Sequence, residues 1–518
     1  MADYFLAARE AMLKARRTIH FLNWAFEPGT VLDPNPGVPR HGQEDIAAFL
    51  RQLSTERPAL EIRILCWQSA LPVAATQDFF PIKGRRAFAG TRVRFRLDGR
   101  LPNGACHHQK ALIIDDAVAF CGGGDIGPDR WDTAAHLDDD PRREKGRDGL
   151  GTFDSRHEVM GVVDGAPAAH LGELFRARWL RATGETLPPA PTPPAADDLA
   201  PAASPPPADA DPWPERITPQ FAGVIAGIAR TSASWRRHPE VRENERLHLA
   251  AIAAARRLIY MENQYFTSPL MAEALAARLA EPDGPEVVLV SHRRSPSWFD
   301  HVTMDRTRSL FIRRLRRADV FGRLRTFHPV TPLGRIIIVH AKLSIIDDVL
   351  LRIGSANLNN RSTGFDTECD LVFEAAGPAA AAARERIGNL TVRLIAHWLG
   401  TDEARVEAAW AEARSLGGAV DRLRADGLVR LRPLEPEPLG PLATFIAAFH
   451  LGDPMCPDDS FRPWRREREM RAARDEALAA LAGPAPPPAE PPSATSGPGV
   501  ACDSAQAGGR SKSITSGA

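Results

Sequence analysis

The sequence predicts an α/β protein made of two copies of one α/β/α sandwich half, with the active site at their pseudo-twofold interface. Three observations carry this reading. The stretch HHQKALIIDDAVAFCGGGD (107–125) returns as HAKLSIIDDVLLRIGSAN (340–357) with matching internal distances. Each copy holds His-x-Lys, an Asp five residues after the lysine, and a turn of small residues ending in Asp125 or Asn357. The same order of helices and strands precedes each copy, which reads as an internal duplication.

Taken in order, residues 3–16 read as an amphipathic helix leading into a strand at 18–22. A loop rich in Pro and Gly spans 28–42, and a helix follows near 43–54. Residues 61–65 and 93–97 alternate as strands do. The first motif comes next, with β-prone runs on either side of an Asp-Asp pair, the pattern of a hairpin. Residues 129–152 form a long polar stretch, read either as a functional loop or as a solvated excursion. Strand character resumes at 157–163, and 167–182 looks helical. The proline-rich stretch 185–214 has no composition for a core and reads as a linker.

The second half repeats the first. A helix near 241–256 leads to a strand at 258–261, a helix at 269–280 to a strand at 286–290, and an Arg-rich helix at 306–317 to a strand at 323–327. The second motif hairpin follows, then a strand in DTECDLVFE (366–374). Residues 378–426 look helical, and the Pro/Ala/Ser/Gly tail reads as disordered. The resulting division is 1–184, the linker 185–214, 215–400, a closing helical segment 401–481 and a tail 482–518.

Composition bounds the function. The 518 residues, 44% hydrophobic and 25% charged, describe an ordinary soluble protein. Sixty-five basic residues balance sixty-five acidic ones, which argues against a dedicated nucleic-acid binder. No run approaches the ~18 apolar residues of a membrane span, and the N-terminus lacks a signal-peptide pattern. The expectation is a monomeric cytoplasmic protein that visits a membrane surface. The six cysteines show no zinc-type spacing; Cys106, Cys121 and Cys369 border the motifs as small buried thiols.

Only six of the sixty-five cations are lysine, yet both His-x-Lys positions keep one. An ammonium is compact where a guanidinium is broad, so the choice points to a tight anion site. On a strand, residues two apart share a face, which sets His108 beside Lys110 and His340 beside Lys342. Lysines neutralise an anionic phosphodiester, one histidine attacks phosphorus, and a second moves the proton. An attacking imidazole needs a partner on its other nitrogen. Glu368 stands after His340 in a strand, and Glu158 holds the corresponding place after His108. Asp115 and Asp347 complete the motifs and read as caps of the hairpin turns. This chemistry calls for no metal or other cofactor, and no metal-ligand cluster is evident.

Two HxKx4D motifs, each with its glycine turn, resemble the phospholipase D superfamily. GGGDIGPDRWDTAAH (122–136) and YMENQYF (260–266) are similar to segments of its true phospholipase D members. Pro128-Asp129 precedes Arg130 where that subfamily usually has Gly, and Trp131 replaces a Tyr. The resemblance implies the catalytic set His108, Lys110, Asp115, His340, Lys342 and Asp347. It makes His108 the nucleophile and His340 the acid and base. Lys110, Lys342, Asn357, Ser355 and Gly123 would bind phosphate, with Glu158 and Glu368 supporting the histidines. The implied activity is hydrolysis of a glycerophospholipid such as phosphatidylcholine to phosphatidic acid, with transfer to alcohols. A phosphatidyltransferase of the cardiolipin-synthase kind is the alternative, ahead of a nuclease or a non-catalytic lipid-binding module. The Arg run 313–317 reads as a solvated face, and Trp298, Phe299 and Phe311 as core.

Overall fold

A computed structural model describes residues 1–35, 45–69, 80–143, 152–188 and 211–456. The tail 482–518, most of the 185–214 stretch and parts of the loops 28–42 and 129–152 lie outside the described residues. In the first sheet the strands are β1 (Thr18–Asn23), β2 (Glu61–Trp67), β3 (Arg94–Asp98), β4 (Ala111–Ile114) and β5 (Val118–Gly122). A short β6 (Ser155–His157) precedes β7 (Met160–Asp164). The second sheet contains β8 (Ile225–Ser232), β9 (Val241–Arg242), β10 (Leu258–Asn263), β11 (Glu286–Val290) and β12 (Leu324–Pro329). After β13 (Ile337–Val339) come β14 (Lys342–Ile346), β15 (Leu350–Gly354), β16 (Glu368–Glu374) and β17 (Leu431–Pro433).

The sheet orders are β3-β2-β1-β4-β5-β7 and β17-β12-β11-β10-β14-β15-β16-β8-β9. Within them β3-β2-β1-β4-β5-β7 and β12-β11-β10-β14-β15-β16 match strand for strand. In both, the first three strands are parallel and the remaining pairings antiparallel. The chain is therefore a duplicated α/β fold. The sequence missed the strands β8, β9, β13 and β17, which extend or bridge the repeat and carry no motif. It also ran β6 and β7 together, although they serve different partners.

One apolar cluster lies outside the first sheet and includes Phe5, Met12, Leu50 and Phe120. Another, outside the second, includes Met271, Leu275 and Leu315. The largest is shared, joining Ile113, Cys121 and Trp179 to Leu343, Leu371 and Trp398. Strand directions explain this: Leu112 and Ile113 are neighbours, and their side chains point to opposite faces. Trp131 belongs to the first cluster, and Asp132, His136 and Arg143 are buried, so the described part of 129–143 is folded structure and not a solvated excursion. Among the described residues no helix is long and apolar enough to cross a membrane.

Candidate active site

The hairpin turns are made by adjacent left-handed residues, Asp115 and Asp116 (φ 54° each) and Asp347 and Asp348 (φ 51° and 58°). Asp tolerates this conformation better than most residues with a side chain. The hairpins orient β4 and β14 so that His108 and His340 sit just before their strands. Both line one cavity of about 830 Å3, together with Lys110, Asn357, Gln264, Arg130 and Arg156.

The histidine–carboxylate pairs cross between the halves. The His108 amide donates to the Thr367 carbonyl at 2.9 Å, and Thr367 immediately precedes Glu368. The His340 amide donates to the His157 carbonyl at 2.9 Å, and His157 immediately precedes Glu158. Each ring follows its backbone. His108 Nδ1 lies 2.9 and 3.0 Å from the two Glu368 oxygens, and His340 Nδ1 lies 2.5 Å from Glu158 Oε2. Each glutamate thus serves the histidine of the opposite half and not the one that precedes it in the chain. Within a half, β15 stands between β14 and β16, and β5 between β4 and β7. Two strand spacings are roughly 9.6 Å, too far for that bond.

The repeats differ at the carboxylates. Ser355 and Ser362 donate to Glu368 at 2.5 and 2.6 Å. Gly123 occupies the position corresponding to Ser355, and Glu158 Oε1 is buried with no hydrogen-bond partner among the described residues. A Cβ on Gly123 would collide with that oxygen and stand 2.9 Å from Lys342 Cδ. Ser355 and Gly123, expected to bind phosphate, instead support a carboxylate and allow close packing. Asn357 does line the cavity.

The lysines are buried and held by the strand itself. Lys110 Nζ donates to the His108 carbonyl at 2.7 Å and lies 3.7 Å from Asp125. Lys342 Nζ donates to the His340 carbonyl at 2.5 Å and to Gln264 Oε1 at 3.2 Å. Burial brings the Lys342 ammonium down to about 7. It also pushes Glu368 up to about 7 and raises Glu158. Both imidazoles lie well below their ordinary value, because burial and then the neighbouring lysines oppose a further positive charge. A bound phosphate anion would relieve that repulsion.

Asp115 and Asp347 do not belong to this group. Asp115 accepts the amides of Arg16, Arg17 and Thr18, each at 2.7 Å. Asp347 accepts those of Arg256, Arg257 and Leu258. They tie down the starts of β1 and β10, five residues beyond Lys110 and Lys342 and so roughly 16 Å along an extended chain. Both the catalytic assignment and the simple turn-cap reading are thereby corrected.

Arg130 and Arg156 were not recognised in the sequence as site residues. Both are buried, and they converge on Asp129: Arg156 Nε donates to its carbonyl at 3.0 Å, and Arg130 Nε lies 3.5 Å from its Oδ1. Burial, then Arg130, pushes the Arg156 guanidinium down to about 10. Arg130 sits inside the quoted GPDRWDT segment, a usable signal; Ser362 and Arg156 had none. Farther out, Trp298 and Phe299 are 74% and 56% exposed, not core, whereas Phe311 is buried. In the Arg run, Arg314 pairs with Glu273 and Arg316 with Glu435.

A family profile described as "Cardiolipin synthase, PLD-like domain" matches residues 249–390. Phospholipase D1 of Saccharomyces cerevisiae is 24% identical over 445 residues, covering 70% of this chain and 25% of that protein. Phospholipase D A of Dictyostelium discoideum is 24% identical, covering 72% of this chain and 32% of its own length. The chain thus spans only a quarter to a third of these two relatives. Cardiolipin synthase A of Pseudomonas putida is 28% identical over 267 residues, covering 51% of this chain and 43% of that protein. Among solved structures, the phosphatidylserine synthase of Haemophilus influenzae shares the fold with a TM-score of 0.51 and 14% identity, over 83% of this chain and 93% of that one.

Proposed function

The chain belongs to the phospholipase D superfamily, and on that premise we propose that it cleaves glycerophospholipids on the headgroup side through a covalent phosphohistidine. One observation carries this reading: two buried histidines face a single cavity, each with Nδ1 held by a carboxylate from the opposite half. That bond leaves Nε2 of each ring for chemistry.

His108 Nε2 attacks phosphorus, and the bond from phosphorus to the headgroup oxygen breaks. His340 gives its Nε2 proton to the leaving oxygen. His340 then takes a proton from water, whose oxygen attacks phosphorus and breaks the P–N bond. Phosphatidic acid leaves, and His108 is restored. Lys110 and Lys342 offset the charge on the transferring group. The division of roles is supported by the asymmetry at the carboxylates. Glu368 shares its charge among three donors, whereas Glu158 gives His340 its one short bond and so better stabilises an imidazolium.

An alcohol in place of water turns hydrolysis into transfer, so a phosphatidyltransferase of the cardiolipin-synthase kind uses the same intermediate. The profile matched over 249–390 favours keeping that second reading. The test is incubation of the purified chain with mixed glycerophospholipids, with and without ethanol or glycerol. Released headgroup and phosphatidic acid are expected, giving way to phosphatidylethanol as ethanol rises. A product formed only with glycerol or a glycerol-bearing lipid would make it a transferase. Release of no headgroup from any glycerophospholipid would overturn the substrate class.

A further inference from the structure

Away from the cavity, the fold gathers three histidines that the sequence left scattered. His136 comes from the loop after the first motif, His157 ends β6, and His397 lies near the end of the helix Ala380–Leu399. One ring nitrogen from each lies within 4.8 Å of the other two. None of the three lines the catalytic cavity. Their separation in sequence is why no metal-ligand spacing was legible, and the expectation of no such cluster is corrected.

We propose that these histidines form a structural site for a first-row divalent cation, zinc being the cation its chemistry fits best. Three facts converge on it. Nε2 of His136 and Nε2 of His397 are buried without a hydrogen-bond partner among the described residues. His136 itself is only 2% exposed. A buried polar atom left unpaired is costly, and a metal ion would satisfy both at once. Carboxylates hold the other nitrogens: His136 Nδ1 is 2.8 Å from Asp132 Oδ2, and His157 Nε2 is 2.8 Å from Glu262 Oε2. A carboxylate on one ring nitrogen fixes the tautomer and raises the basicity of the other, the usual setting of a metal-bound imidazole.

The remaining fact concerns donor type. Three imidazoles suit zinc, whose Zn–N distance of about 2.0–2.1 Å sets tetrahedral ligand nitrogens roughly 3.4 Å apart. The three nitrogens, within 4.8 Å of one another, have to draw together to that value when the ion binds.

The position gives the site a task. His136 and His157 come from the first half of the chain and His397 from the second. The His157 carbonyl accepts the His340 amide, and the next residue, Glu158, holds the His340 ring. Fixing His157 therefore fixes the strand that positions the acid and base. The ion would staple the halves together and hold His340 in line while staying outside the reaction.

The full chain is purified, stripped with chelator and titrated with zinc or cobalt, and bound metal is counted by mass spectrometry. One equivalent per chain, the visible bands of tetrahedral cobalt, and a higher thermal midpoint with zinc are expected. His397→Ala, at a half-buried position, should lose all three effects, and His136→Gln serves if that variant does not fold. A His108→Ala/His340→Ala double variant should keep all three, which separates this site from the catalytic histidines. No stoichiometric metal on the stripped wild type would overturn the proposal and leave a packed cluster of histidines on Trp398. Equal binding by His397→Ala and His136→Gln would overturn it as well.

Discussion

Removing one hydroxyl should retune the nucleophile without touching it. Ser362 Oγ donates to Glu368 Oε1 at 2.6 Å, and Glu368 in turn holds His108 Nδ1. A hydrogen bond to a buried charged group is worth ~1.5–3 kcal/mol. At 1.36 kcal/mol per pH unit, losing it raises the carboxyl by about one to two units. Glu368 already titrates at about 7 because burial penalises its charge, so Ser362→Ala should move it to about 8–9. Activity needs Glu368 ionised, since a protonated carboxyl donates to Nδ1 and places the imidazole proton on Nε2, where the lone pair must attack. The stabilised nucleophile is thus present above the carboxyl pKa and lost as pH falls through it. The assay is kcat/KM for variant and wild type across pH, expressed as a ratio, in which any titration of Lys342 common to both cancels. The ratio should be ~0.1 to ~0.01 on the acid side and climb to near one above about pH 9. A ratio below one that stays flat with pH would refute the reasoning, because it would mean lost geometry instead of a shifted titration. Ser355→Ala should give the same profile with an added loss of stability, since Ser355 Oγ also accepts the buried Cys369 amide at 3.0 Å.

Three further outcomes follow from the same geometry. Glu158→Gln should lower kcat by ~100-fold through the proton-transfer steps, and acid quenching should show phosphoryl-enzyme accumulating if breakdown of the intermediate becomes slower than its formation. Lys342→Arg keeps the charge but should cost at least ~100-fold, about 2.7 kcal/mol. The ammonium sits at about 7 and loses its charge as pH rises through that value, so the arginine variant should also lose the alkaline limb of kcat/KM. Asp115→Ala strands the three amides at the start of β1 and should reduce stability by roughly 3 kcal/mol. Denaturant unfolding would measure that loss, and kcat per folded molecule should remain at the wild-type value.

How far the sequence could be read depended on whether a feature is local. The motif hairpins were legible because an Asp-Asp pair between β-prone runs specifies its own turn, and the duplication was legible because the hairpins recur with their preceding strands. His108, Lys110, His340 and Lys342 followed from the repeated His-x-Lys spacing, although the structure places both histidines and Lys110 just ahead of the strands. The pairing of carboxylates did not. A strand periodicity says which face Glu158 and Glu368 occupy, but not which sheet lies opposite, and the nearest histidine in the chain is the wrong one in both cases. The three-histidine cluster was illegible for the same reason, since its members come from a loop, a strand and a helix in different halves.

The crossed pairing gives the duplication a functional meaning. A half alone would carry a histidine and a lysine at the start of one strand, but its glutamate would lie two strands away and out of reach of that histidine. Only the face-to-face pair closes both histidine–carboxylate contacts, and the shared apolar cluster is what holds the halves in that arrangement. The two copies differ in what surrounds their carboxylates. Ser355 gives Glu368 a donor where Gly123 leaves Glu158 with none. Two equivalent histidines would compete for the same role at phosphorus. On the function proposed above, the serine hydroxyls on Glu368, with no counterpart on Glu158 Oε1, would make His108 the better nucleophile and His340 the better carrier of the proton.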